Sequence, residues 1–287
     1  MEIHSPFARP PSADRLSVEA WGPEVWWLAY LAMGLLTGFL AGMLGIGGGV
    51  VIVPLLVFLF NAQHLPSERV LHLALGTSLA SIAFTNLSSV RAHHAHQAVR
   101  WDIVRVTTPG IIVGTLLGTV LAEHLSSRYL AIVFTLFVLF SSVQMLLDRK
   151  PKPTRQLPGS VGMWIAASSV GLLCSLVGVA GGILIVPLLA MCNIPMRNCI
   201  GTSAAVGLPI SLAGAAGYVI TGLAKAHLPP YSIGYVYIPA LSGLVLGTFV
   251  TVPFGARVAH TIPVARLKKI FAIVLSVLAV KMVIALF

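Results

Sequence analysis

Charge is what this chain has least of. Only 9% of its 287 residues are charged, against about 25% in soluble globular chains. The eight carboxylates are Glu2, Asp14, Glu19, Glu24, Glu68, Asp102, Glu123 and Asp148. All lie in the N-terminal stretch or at the ends of apolar segments, so none falls at the centre of an expected membrane span. That absence weakens any mechanism built on an intramembrane carboxylate relay. Cysteine is also scarce: Cys174, Cys192 and Cys199 sit in or beside apolar segments at no metal-ligand spacing. They read as packing thiols, and neither a disulfide framework, a metal nor a cofactor is expected. The chain has no H-E-x-x-H, no G-x-S-x-G and no carboxylate pair at membrane depth, and Ser78 and Ser175 have no evident base. A membrane-embedded enzyme is therefore disfavoured. Residues 1–24 carry Pro6, Pro10, Pro11 and four carboxylates without an apolar core, which reads as a disordered leader, not a signal peptide.

What the chain has in abundance is apolar length. Hydrophobic residues make up 57%, and the mean hydropathy is +0.95. Apolar segments run at 25–60, 70–90, 103–122 and 129–147, then at 161–192, 200–222, 233–255 and 266–287. A bilayer needs roughly 20 apolar residues per helical crossing. The expected fold is an all-α integral membrane protein in the lipid bilayer. The formal charge of +10 would suit a nucleic-acid binder only if it formed a polar face, but here the basic residues lie between apolar segments. No nucleic-acid partner is expected.

The chain repeats itself. Residues 38–56, GFLAGMLGIGGGVVIVPLL, align without gaps on 171–189, GLLCSLVGVAGGILIVPLL, with ten of nineteen positions identical. At an offset of 125, Gly76-Thr77-Ser78 matches Gly201-Thr202-Ser203; at 129, Gly114 and Gly118 match Gly243 and Gly247. Three ordered blocks of Gly, Pro and Thr-Ser matches are not a product of composition. The expected organisation is a leader (1–24), a first transmembrane repeat (25–147), a basic cytoplasmic linker (148–160) and a second repeat (161–287). Each repeat would hold a Gly-broken helical hairpin plus three transmembrane helices.

Basic loops stay cytoplasmic. With the linker inside, so are 91–102 (Arg91, Arg100), 193–199 (Arg197) and 256–266 (Arg257, Arg266). This holds if each long first segment crosses an even number of times. Each half then makes an odd number of crossings, which gives an inverted repeat, a common transporter plan.

The long segments are interrupted at Gly45-Ile46-Gly47-Gly48-Gly49 and Gly178-Val179-Ala180-Gly181-Gly182. They are short for two full spans and long for one, so two shortened helices meeting at a glycine turn are expected. Glycine costs roughly 1 kcal/mol inside a helix and tolerates a turn. A helix restarting at the turn leaves amide N–H groups unpaired at the positive end of its dipole, which attracts anions. Gly47, Gly48 and Gly49, with Ala180, Gly181 and Gly182, are the lead binding candidates. Thr77, Ser78, Thr202 and Ser203 could offer hydroxyls, although membrane-helix hydroxyls often bond to the preceding turn. Asn86 and Arg197 complete the candidate set; for Arg197 a topogenic role competes. Gly34, Gly38 and Gly42, with Gly114, Gly118, Gly243 and Gly247, read as packing stripes, and such stripes would permit a homodimer. Pro54 and Pro187 kink or start the helix that follows each turn. His93, His94 and His96 read as a solvated loop after a helix ending near 90.

The duplicated G-x-G-G-G-x4-P pattern, Gly45–Pro54 and Gly178–Pro187, followed by G-T-S in both halves, resembles the sulfite exporter TauE/SafE family, also called the 4-toluenesulfonate uptake permeases. The likeness covers nearly all of 25–287, with Ala180 departing from Gly47. It implies a multi-pass secondary transporter of the inner membrane, working on sulfur-containing anions such as sulfite, sulfoacetate, thiosulfate and other sulfonates. A passive anion channel is the alternative.

Overall fold

The glycine blocks decide where the first helices of each half stop. In the computed structural model, which describes residues 23–44, 49–147, 157–225, 228–259 and 272–277, α1 (Pro23–Leu44) and α2 (Gly49–Ala62) flank the first block. Around the second block, α6 (Ser160–Val177) stops at Gly178 and α7 (Gly182–Met191) restarts four residues later. The remaining helices are α3 (Val70–Ala95), α4 (Trp101–His124), α5 (Ser127–Leu147), α8 (Met196–Leu223) and α9 (Ile238–Ala259). A two-stranded antiparallel hairpin, β1 (Ser232–Ile233) and β2 (Val236–Tyr237), precedes α9. Residues 272–277 are helical. The expected leader, Gly45–Gly48 and most of the linker lie outside the described residues.

Among the described residues seven helices are long and apolar enough to cross a membrane: α1, α3, α4, α5, α6, α8 and α9. The chain is a multi-pass α-helical membrane protein. Its helices are apolar on two sides for two reasons, as α4 illustrates. Gly110, Ile111, Gly114 and Thr115 turn inward, while Val113, Leu117 and Val120 are about half exposed, the side a bilayer covers.

Three expectations change. The hairpin arms are not equally shortened: α1 has 22 residues and α6 has 18, enough for about 33 and 27 Å at 1.5 Å per residue. The shortening falls on α2, with 14 residues, and α7, with 10. α3 continues to Ala95, so His93 and His94 belong to its last turn. α9 starts later than expected because 232–237 are spent on the β-hairpin.

Neighbouring glycines set the packing, and it joins one half to the other. α1 packs on α9, where a methyl group on Gly38 would lie 2.5 Å from the Thr248 Cα and one on Gly247 2.5 Å from the Leu35 nitrogen. α4 packs on α6, where a methyl on Gly114 would lie 2.0 Å from the Ser168 carbonyl oxygen. Gly34, Gly38, Gly114, Gly118, Gly243 and Gly247 thus pack inside one chain. α3 packs on α8, with Gly76 against Tyr218, Gly214 against Leu79 and Gly207 against Asn86. That order makes α3 and α8 antiparallel. In the fourth pairing, the Ser142 hydroxyl meets that of Ser276 at 2.8 Å.

The hairpin α1–α2 closes at its base. The Tyr30 hydroxyl donates to Gln63 Oε1 at 2.7 Å, so the outer ends of the two helices meet. The hairpin tip, at Gly49, lies against Ile82, midway along α3.

Candidate functional site

The start of α2 meets the turn between α6 and α7. A methyl group on Gly49, the first residue of α2, would lie 2.8 Å from the Gly178 carbonyl oxygen and 3.2 Å from the Val179 Cα. The second turn depends on glycine for its path: Gly178 has φ 69° and Gly181 has φ 79°, the left-handed region that side chains disfavour. The Ser78 hydroxyl, on α3, donates to the Gly178 carbonyl at 3.0 Å and fixes the turn against the other half.

At the start of α7 the first helical amides to find partners are those of Leu184 and Ile185, both bonded to the Gly181 carbonyl. No side chain caps the helix. Gly182 and Ile183 occupy the first-turn positions, where amides have no intrahelical acceptor. Val53 and Leu75 pack around Gly178, and Ile185, Ile210 and Cys174 around Gly181. In such a low-dielectric setting the dipole of a helix start acts more strongly than in water.

The polar groups nearby are buried and in part idle. Asn86 is 5% exposed and its Nδ2 has no hydrogen-bond partner. A methyl on Gly207 of α8 would touch Asn86 Nδ2 at 2.9 Å and the Ala180 carbonyl at 2.8 Å. Asn86 and the second turn therefore flank one spot on α8. Gly207, which the sequence reading did not single out, stands beside the turn; its only signal is a small residue in the middle of a helix. Ser203, 3% exposed, likewise has an Oγ without a partner. A buried donor left unpaired costs about 1–3 kcal/mol, which a ligand accepting its hydrogen bond would recover.

The G-T-S triplets divide their labour. Gly76 admits the Tyr235 carbonyl and Gly201 the Ala98 carbonyl, each within 2.6 Å of where a methyl group would stand. The Thr77 hydroxyl accepts from the Tyr237 amide and the Thr202 hydroxyl from the Arg100 amide, each at 3.0 Å. Gly and Thr thus dock the segment leading into the other half's fourth helix, while Ser78 holds the second turn and the Ser203 hydroxyl has no partner. Thr77 and Thr202 are already engaged by backbone. Arg197 is exposed and donates to the His96 carbonyl, away from the turns. Gly47 and Gly48 lie outside the described residues, while Gly49, Ser78, Asn86, Ala180, Gly181 and Gly182 stand at or beside the second turn; Ser203 is on α8, one helical turn before Gly207.

Among the described residues the ion pairs lie at the rims. On the leader side, Glu123 is 2.5 Å from Lys225 and 3.8 Å from Arg69. On the linker side, Arg100 pairs with Asp102 at 2.6 Å, and His94 accepts from Trp101 Nε1 at 3.1 Å. An anion at the centre would be held by amide and hydroxyl donors, not by a counter-charge.

A family model described as sulfite exporter TauE/SafE matches residues 30–282. The chain belongs to the TauE/SafE family. A probable membrane transporter protein of Haemophilus influenzae is 34% identical over 256 residues, covering 89% of this chain and 97% of the relative. The probable membrane transporter protein YunE of Bacillus subtilis is 29% identical over 213 residues, covering 67% of this chain and 78% of its own length. A probable membrane transporter protein of Methanocaldococcus jannaschii is 23% identical over 254 residues, covering 88% and 93%. No solved structure matches the chain. This TauE/SafE protein is a membrane transporter, not an enzyme, and a multi-pass protein of the inner membrane.

Proposed function

We propose that this TauE/SafE protein is a secondary transporter of small sulfur-containing anions, of the sulfite, sulfonate, sulfoacetate and thiosulfate class, and that it works by alternating access. The observation that carries this reading is the meeting of Gly49 with Gly178 and Val179, midway along α3 and beside the uncapped start of α7. A sulfonate or sulfite presents acceptor oxygens around a delocalised charge. Helix-start amides, the Asn86 amide and the Ser203 hydroxyl are all donors.

The two halves are related as an inverted repeat, a reading supported by the antiparallel run of α3 against α8 and by the exchanged pairings α1–α9 and α4–α6. In such a plan each half rocks against the other around a fixed central site. Discontinuous backbone at this depth is tolerable only where protein buries it or water reaches it, which fits a binding turn.

The test is flux. Purified protein in proteoliposomes should take up a labelled small sulfonate saturably, and Gly181→Leu should abolish uptake while the protein still inserts. Uptake unchanged by Gly181→Leu defeats the site, and non-saturable flux points instead to a pore.

A further inference from the structure

On the leader side three aromatic rings meet near the outer ends of α1 and α2. Tyr30 of α1, Phe60 of α2 and Tyr237 at the end of β2 meet edge-on, with centroids 6.1 Å (Tyr30–Phe60), 6.1 Å (Tyr30–Tyr237) and 5.6 Å (Phe60–Tyr237) apart. Tyr30 and Phe60 are fully buried. Phe60 lies eleven residues beyond Gly49, about 16 Å along α2 at 1.5 Å per residue. It therefore stands between the centre and the leader-side rim.

The repeat allows the same positions to be inspected on the opposite side. At the offsets that align the halves, Tyr30, Phe60 and Tyr237 correspond to Met163, Asn193 and Thr108. No ring stands at any of them. Instead Met163, together with the adjacent residues Thr107 and Cys192, lines an apolar crevice of about 220 Å³ between α4, α6, α7 and α8. The crevice runs inward to Ile185, whose Cδ1 lies against Gly181. One side of the molecule carries a cluster of rings where the other has a crevice that reaches Met163 and the neighbours of the other two equivalent positions.

We propose that Tyr30, Phe60 and Tyr237 form the gate on the leader side of the transport path, shut in a state whose linker side is open. Tyr30 and Phe60 belong to the first half's hairpin and Tyr237 to the second half, so relative motion of the halves parts the rings. Edge-on contacts between rings break and re-form without covalent change. A purely structural aromatic cluster would seal nothing, and its loss would cost stability without making the interior reachable from one side only. The proposal rests on the alternating-access reading but not on the substrate named there.

Side-specific labelling tests it. In a chain whose three cysteines are replaced by alanine, Leu56→Cys puts a thiol one turn inward of Phe60. A membrane-impermeant maleimide is applied to spheroplasts and to inside-out vesicles. From the leader side, Leu56→Cys should react slowly, and at least tenfold faster once Phe60→Ala or Tyr237→Ala is added. Phe60→Leu, which keeps the bulk, should restore slow labelling. In the native chain Cys192 should react only from the linker side. Fast leader-side labelling with all three rings present overturns the gate, as does unchanged labelling in both alanine variants at normal melting temperature. If the labelling behaves as stated but no sulfonate flux is found, the substrate reading fails and the gate stands.

Discussion

Ser78 Oγ and the Gly178 carbonyl oxygen are 3.0 Å apart although one hundred residues separate them in sequence. The bond spans the two halves and holds the second glycine turn against α3. Removing the donor leaves a buried carbonyl without its partner. Ser78→Ala should therefore lower stability by roughly 1 kcal/mol, a usual magnitude for a membrane hydrogen bond. Melting of the purified protein in detergent reads the shift, and anion affinity should fall with it because the turn loses its anchor.

Asn86 predicts the opposite pattern. Its Nδ2 is buried and idle, so Asn86→Ala removes no bond from the empty protein and should leave the melting temperature within about 1 °C, or raise it. Binding of a sulfonate should nonetheless weaken about tenfold, roughly 1.4 kcal/mol. Asn86→Asp, which puts an acceptor where a donor stands, should abolish binding. Titration calorimetry on the three proteins distinguishes these outcomes.

How far the sequence carries can be judged on particular residues. The two Gly blocks were legible because consecutive glycines within an apolar run have no packing rationale; the structure starts a helix at Gly49 and puts a turn and a helix start at Gly178–Gly182. Thr77 and Thr202 were legible as a pair but not in role. A hydroxyl's partner depends on which chain segment folds over it, and the docking segments at 98–100 and 235–237 lie far away in sequence. The direction of Arg197, whose side chain bonds the His96 carbonyl away from the second turn, was not legible, because a position in the alignment says nothing of how a long side chain leaves the helix. The gate positions were invisible too, since an aromatic residue within an apolar helix looks the same whether it plugs a path or fills a core.

The threonines should separate docking from binding. Thr202→Val leaves the Arg100 amide without its acceptor at the start of α4, and Thr77→Val does the same to Tyr237. Each should cost roughly 1–2 kcal/mol of stability, read as loss of folded yield and a lower melting temperature. The affinity of the folded fraction for anion should stay within about twofold.

Glycines of the two kinds should also part company. Gly114→Ala drives a methyl into the Ser168 backbone, 2.0 Å from its carbonyl oxygen, and should prevent proper packing of α4 on α6, visible as aggregation in size-exclusion chromatography. Gly181→Ala meets only side-chain ends at 2.9 Å but must adopt φ 79°, a strain of about 1–2 kcal/mol. It should remain monodisperse and lose transport.

The central claim is that the two turns, with the idle donors beside them, hold one small anion. Thermal stabilisation of the purified protein across a panel of anions at matched ionic strength tests it most directly. A sulfonate or sulfur oxyanion at one hundred times its dissociation constant should stabilise the protein by about 2.7 kcal/mol. Chloride should not, and the shift should vanish in the double variant Asn86→Ala, Ser203→Ala. A panel in which no sulfur anion stabilises the wild type, or in which the double variant responds as the wild type does, contradicts the account.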